Sequence, residues 1–129
     1  MKLTEIQKDV VQHYNIKLDE CSKCWGRMHA HVRERRVCKW HPKNSVQATF
    51  DLLHEIGHIE TTKAGMRRAE EEYHATMWAI EHSIIYDMSI PDKIIKEYQD
   101  YIDMEVARGV RRGGKNYGNL KLVYPSQNL

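Results

Sequence analysis

The chain has 129 residues, which suits one domain and is short for two. Its 20 Lys and Arg against 18 Asp and Glu leave a formal net charge of +2, so composition alone excludes a dedicated polyanion binder. With 41% hydrophobic and 29% charged residues, the chain is typical of globular and not of disordered proteins. No apolar run approaches the about 20 residues of a membrane span, and the first residues resemble no secretory signal, so we expect a cytoplasmic protein.

Histidine and cysteine are the unusual parts of the composition. Eight histidines and three cysteines stand beside a single Phe, which raises the question of a bound metal. An odd number of cysteines without an export signal favours reduced thiols over a disulfide framework.

The first elements in chain order are a helix and a small β unit. Apolar residues at helical spacing over residues 3–14 predict a short amphipathic helix. Alternation of apolar and polar residues from Met28 to Arg33 predicts a half-buried strand, and residues 36–40 fit a second. Residues 41–45 have turn chemistry and end in Ser45, a residue type suited to an N-cap.

Three helices are predicted after this turn, over Val46 to about Thr62, Met66 to about Tyr86, and from Pro91 to about Ala107. Residues 108–129 are basic and glycine-rich, which indicates a loop or mobile tail. We therefore expect one mostly helical α+β domain over residues 1–107, followed by this tail. A small N-terminal β-hairpin or short sheet is expected to pack on the helix over residues 46–62.

The motif that carries chemistry is His54-Glu-Ile-Gly-His58. Helix positions four apart share a face, so His54 and His58 can bind one ion. Glu55 adjoins the first ligand and can act as general base on a zinc-activated water. A chain of this composition should contain the pattern by accident only about 0.04 times, so the alternative of two solvated surface histidines is the weaker one.

A zinc site of this kind needs a third protein ligand. Four residues downstream have the right chemistry, namely Glu70, Glu71, Glu72 and His74. The segment Glu72-x-x-Ala75-Thr76-x-Trp78-Ala79 resembles the second-helix pattern of the gluzincins, in which a small residue follows the ligand Glu at the third position.

Residues 46–79 are most similar to the ImmA/IrrE family of small bacterial and phage metallopeptidases, whose motif is HExxH followed by ExxA(N/D)xFA. The resemblance implies a minimal zincin-like fold, with zinc bound by His54, His58 and Glu72. It leaves Glu71 and His74 as alternative third ligands, and Thr76 stands where the family has Asn or Asp. It also implies a regulatory protein, such as a repressor, as the substrate.

The predicted function is therefore hydrolysis of a peptide bond in a regulatory protein. Zinc polarises the scissile carbonyl, and Glu55 takes a proton from the attacking water. A separate oxyanion donor is expected. Tyr73, His82 and Tyr86 lie on or just after the ligand helix, but their positions do not assign this role to any of them.

The cysteines form a second pattern. Cys21-x2-Cys24 and Cys38-x2-His41 have the spacing of a structural zinc site, with a strand pair between them. The other interpretation is that the cysteines are ordinary thiols, which pack as small hydrophobes.

Two basic groups allow a different class of function, a non-catalytic, metal-stabilised module that contacts nucleic acid or a host protein. Solvated surface is the simpler interpretation of both groups, so nucleic acid is not the favoured partner. No membrane partner is expected. The groups are Arg33, Arg35, Arg36, Lys39 and Lys43, and Arg108, Arg111, Arg112, Lys115 and Lys121.

Overall fold

A computed structural model describes residues 1–20, 27–114 and 120–125. These ranges contain four helices and a three-stranded sheet, which confirms the predicted mostly helical α+β class. Within the same ranges, no helix is both long and apolar enough to cross a membrane. In chain order the elements are α1 Leu3–His13, β1 Lys17–Glu20, β2 His29–His31, β3 Arg36–Trp40, α2 Val46–Thr61, α3 Arg68–Ile85 and α4 Asp92–Arg111.

The sheet has the order β1-β3-β2, with β3 parallel to β1 and antiparallel to β2. The predicted hairpin is thus present as β2 and β3, while β1 was not predicted. Leu18, Ala30 and Val37 align across the three strands and pack into the core with residues of α2. Alternate residues of each strand consequently point away from α2.

Helix α2 forms where the sequence predicts it. The hydroxyl of Ser45 accepts a hydrogen bond from the backbone N–H of Ala48 at 3.1 Å, which satisfies one free donor of the first turn. Phe50, Leu53 and Ile56 are fully buried and form the centre of the core. Burial of its apolar positions fixes the rotation of α2 and therefore the direction of the polar side chains between them.

Helices α2 and α3 pack very closely at Gly57. A Cβ atom at this position would lie 2.4 Å from the carbonyl oxygen of Ala75, inside the distance at which atoms repel. The obstacle is backbone of α3, which cannot rotate away as a side chain can. Gly57 thus permits the approach that brings α3 beside the two histidines of α2.

Helix α4 extends to Arg111, so the predicted end near Ala107 was wrong by one helical turn. An ion pair between Arg108 and Glu105, 3.1 Å apart, lies in this last turn. Residues 120–125 are irregular, as expected for a loop, yet Leu122 and Tyr124 pack against the core. The side chain of Gln99 donates to the carbonyl of Leu120 at 3.0 Å and accepts from the N–H of Leu122 at 2.7 Å.

Candidate metal centre

Three side chains meet between α2 and α3. Nε2 of His54 lies 3.0 Å from Oε2 of Glu72 and 3.1 Å from Nε2 of His58, and His58 Nε2 lies 3.2 Å from the same Glu72 oxygen. The three residues are buried, with exposed fractions of 5%, 9% and 3% for His54, His58 and Glu72. The helical spacing of the two histidines and the close packing at Gly57 together produce this cluster.

The protonation of His54 follows from its neighbour Thr76. The Thr76 hydroxyl donates to the backbone carbonyl of Glu72 at 2.7 Å, so its oxygen is left to accept from Nδ1–H of His54 at 3.0 Å. A neutral His54 therefore has a bare lone pair on Nε2. This lone pair faces the Glu72 carboxylate.

The cluster fits a divalent cation. The lone pair of His54 and the carboxylate of Glu72 are both acceptors, and they repel each other because they are about one hydrogen-bond length apart. A proton on His58 Nε2, which donates to the same carboxylate, relieves only part of this repulsion. Two imidazole nitrogens and one carboxylate oxygen are the donor set of catalytic zinc sites. Among the described residues, this is the buried group whose ligand atoms all lie within 4.8 Å of one another.

The charges of the cluster are strongly coupled. Burial alone would raise the pKa of Glu72, but hydrogen bonds and charges from His54 and His58 outweigh it and hold this pKa well below its usual range. Burial lowers the pKa of His54. Burial also acts to lower the pKa of His58, but the Glu72 carboxylate outweighs it and raises this pKa. Arg68 pairs with the other oxygen, Oε1, of Glu72 at 3.1 Å and so fixes the carboxylate orientation.

Glu55 lies in the same cavity, which has a volume of about 910 Å³ and is also lined by His54, His58 and Glu72. Burial raises the pKa of Glu55 to about 7, although the charge of His58 and a hydrogen bond from the backbone N–H of Ala30 both act to lower it. Ala30 belongs to β2, so this edge strand orients the carboxylate. Glu55 therefore adjoins the cluster without being one of its ligand residues.

Tyr98 of α4 supports the cluster from a third side and was not predicted. Its hydroxyl donates to Oδ1 of Asp51 at 2.5 Å, and its ring packs on the His54 imidazole with centroids 4.7 Å apart. Burial, with the charge of Asp51, raises the pKa of Tyr98 well above its usual range. The sequence signal for this residue was its place on the apolar stripe of α4, which marks it only as a core position.

The other candidate ligands lie elsewhere. His74 is exposed and packs against Tyr73 on the surface of α3. Glu71 lines the cavity but is not in the cluster, and Glu70 accepts a hydrogen bond from the backbone N–H of Arg67. Of the four downstream candidates, the structure thus brings Glu72 to the two histidines.

The three positions considered for an oxyanion donor do not line the cavity. The His82 ring accepts a hydrogen bond from the Tyr14 hydroxyl at 2.6 Å and stacks on Trp78. The Tyr86 hydroxyl donates a hydrogen bond to the Asp9 carboxylate at 2.6 Å. Arg68 and Tyr101 line it instead, with their side chains 3.5 Å apart. A donor role for these residues could not be predicted, because it depends on how α3 and α4 pack.

The cysteine pattern is only partly within the described residues. Cys21 and Cys24 lie outside them. Cys38 lies in a group with His29 and His31. His41 lines the cavity and is not part of that group.

Several residues of the two basic groups are paired with acids. Arg35 contacts Glu60 at 3.2 Å, and Arg36 contacts Asp19 at 3.1 Å. In the C-terminal group, Lys121 contacts Asp103 and Arg108 contacts Glu105, each at 3.1 Å. Lys115 lies outside the described residues. These pairs reduce the positive field that a nucleic-acid interface requires.

Comparison of the chain with protein-family models, curated proteins and solved structures gave no match.

Proposed function

We propose that the chain is a zinc-dependent endopeptidase of the ImmA/IrrE type that cleaves a regulatory protein. The observation that carries the proposal is the convergence of His54, His58 and Glu72 in a cavity that also contains the Glu55 carboxylate. The family and the class of substrate rest on the resemblance of residues 46–79.

His54, His58 and Glu72 would hold the zinc ion. When bound, zinc polarises a carbonyl group and lowers the pKa of water toward about 7. Thr76 keeps the proton of His54 on Nδ1 and thereby keeps Nε2 free as a ligand atom. Arg68 holds one oxygen of Glu72, so the other remains directed at the histidines.

Glu55 is the proposed general base. Its carboxylate takes a proton from the attacking water and delivers it to the amide nitrogen that leaves. The N–H of Ala30 orients the carboxylate, and burial raises the pKa of Glu55 to about 7. A carboxylate beside a zinc ligand, free of the metal itself, is the arrangement that this proton transfer requires.

The test compares zinc content and proteolysis. The purified protein is incubated with a proteome-derived peptide library, and new peptide ends are identified by mass spectrometry. We expect the zinc-loaded protein to cleave a subset of peptides, and Glu55→Gln to lower the rate at least about 100-fold, since general-base catalysis contributes that much. Glu55→Gln should keep its zinc, and His54→Ala should lose one ion per chain.

Glu81→Gln is the matched control, because Glu81 is an exposed carboxylate on α3 and does not line the cavity. It should cleave at the unmodified rate. Equal rates for Glu55→Gln and the unmodified protein would contradict the mechanism, and a zinc-loaded protein that cleaves no peptide would contradict the activity.

A further inference from the structure

The outer face of the sheet carries a second group of metal-ligand residues. His29 and His31 are two apart on β2 and therefore share a face, and Cys38 of β3 is the cross-strand partner of His29. One ligand atom from each of the three residues lies within 4.8 Å of the others. Ala30 and Val37, between them, pack into the core, so the strand alternation directs the side chains of this group to the other face of the sheet. His29 is also one of the residues that line the cavity of the first cluster.

The polar contacts of the two Nδ1 atoms favour the Nε2 nitrogens, which face each other, as acceptors. Nδ1 of His29 lies 3.3 Å from the carbonyl oxygen of Arg27, so it carries the proton. Nδ1 of His31 lies 3.7 Å from a carboxylate oxygen of Glu34, which favours a proton there too. The two Nε2 atoms are nevertheless 3.1 Å apart, an arrangement that a cation between them would stabilise.

We propose that His29, His31 and Cys38 bind a second zinc ion, which ties the edge strand β2 to β3. Two imidazoles and a thiolate are ligands that zinc prefers, and tetrahedral zinc places such atoms about 3.3–3.8 Å apart. Asp19 lies beside this group, because its Oδ2 accepts from the Cys38 thiol at 3.6 Å and from Arg36 at 3.1 Å. The Cys38 thiol would give up its proton when zinc binds.

The ion would act on the architecture beside the first site. It fixes β2 from the outer face, while the N–H of Ala30 on the same strand orients Glu55. The proposed second ion is structural, and it does not depend on the function proposed above.

Cobalt is the probe that separates this site from the cluster between α2 and α3. Cobalt bound to a thiolate has a charge-transfer absorption in the near ultraviolet, whereas cobalt bound only by nitrogen and oxygen does not. We expect the unmodified chain to bind about two cobalt ions and to show this absorption band. The Cys38→Ser variant and the His29→Ala/His31→Ala variant should each bind about one cobalt ion and lack the band. His54→Ala/His58→Ala should lose the other ion and keep the band.

Two control variants test the cysteine pattern that the sequence alone suggested. His41→Ala and Cys21→Ser/Cys24→Ser should retain both ions and the band. The proposal is overturned if the band is lost in these controls and persists in His29→Ala/His31→Ala, or if the unmodified chain shows no band. Circular dichroism of each variant verifies that the chain is folded. Because the side chains of His29 and His31 are exposed, we expect their replacement by alanine to leave the fold intact.

Discussion

Thr76 connects the cluster of His54, His58 and Glu72 to the backbone of α3. Its hydroxyl hydrogen is used by the carbonyl of Glu72, which leaves the oxygen to fix the tautomer of His54. Asn or Asp occupies this position in the family that the sequence resembles. The hydroxyl of Thr76 accepts the imidazole proton as a side-chain oxygen of either residue would.

Replacing Thr76 by Val tests this role with almost unchanged volume. The variant leaves the Nδ1–H of His54 without an acceptor and no longer fixes Nε2 as the ligand atom. We expect zinc affinity at this site to fall about 10–100-fold, measured by competition with a chromogenic chelator.

Ser83→Ala provides the matched control for Thr76→Val. Ser83 is also buried in α3 and donates to a carbonyl four residues earlier, that of Ala79 at 2.7 Å, but it does not contact the cluster. It should leave zinc affinity unchanged. Equal affinity in Thr76→Val and the unmodified chain would refute the role of the hydroxyl.

At the scale of residues, sequence reasoning predicts which side chains lie together when they share one helix. His54 and His58 are fixed by the period of α2, and Glu72 was identified through its resemblance to a motif. Tyr98 and Arg68 were missed, because their contacts arise only when α4 and α3 pack against the cluster.

Among the elements, the α2–α3 contact is the one that assembles the cluster. Glycine inside a helix costs about 1 kcal/mol relative to alanine, so Gly57 needs a reason in the packing. The reason is the carbonyl oxygen of Ala75, because a Cβ atom at position 57 would lie only 2.4 Å from it.

Gly57→Ala should therefore destabilise the protein although alanine favours helices. We expect the free energy of unfolding in urea to fall by about 1–3 kcal/mol, the usual effect of overpacking. Zinc affinity should fall as well, because separating the helices moves Glu72 from the histidines.

Gly109→Ala serves as the control, because we expect it to change the free energy of unfolding in the opposite direction. Gly109 lies within α4, and apart from the neighbouring backbone of that helix, a Cβ there would meet no atom of the described residues within 4 Å. The substitution should raise the free energy of unfolding by up to about 1 kcal/mol. Destabilisation by both substitutions, or by neither, would argue against close packing as the reason for Gly57.

The elements also show which local signals were weak. Strand β1 has only four residues, two of them acidic, so its alternation was too short to predict. It forms because Leu18 lies beside Val37 when β1 pairs with β3, a contact between distant parts of the chain. The capped helix α2 and the alternating strand β2 were predicted, since their signals are local.

For the whole molecule, the C-terminal segment is the part that sequence reasoning described least well. Glycines and basic residues correctly indicated the absence of regular structure over residues 120–125. They did not reveal that Gln99 binds the backbone on both sides of Lys121 while Leu122 and Tyr124 reach the core. A side-chain amide that substitutes for a strand partner leaves no pattern in the sequence.

Gln99→Ala should release this segment from α4. We expect faster amide hydrogen exchange at Leu122 and a loss of about 1–2 kcal/mol in the free energy of unfolding, corresponding to the two hydrogen bonds to the segment. Lys121→Ala removes only an exposed ion pair with Asp103 and should cost less than about 1 kcal/mol. Unchanged exchange at Leu122 in Gln99→Ala would show that packing alone holds the segment.

The bond between Ala30 and Glu55 has a consequence for self-association. Strand β2 is an outer strand of the sheet, and such strands can recruit strands from other molecules. Here the strand has three residues, and its central N–H is already donated to Glu55. An incoming chain would gain few hydrogen bonds and would have to displace a carboxylate. The contact that orients Glu55 therefore also makes β2 a poor template for a strand from a second molecule.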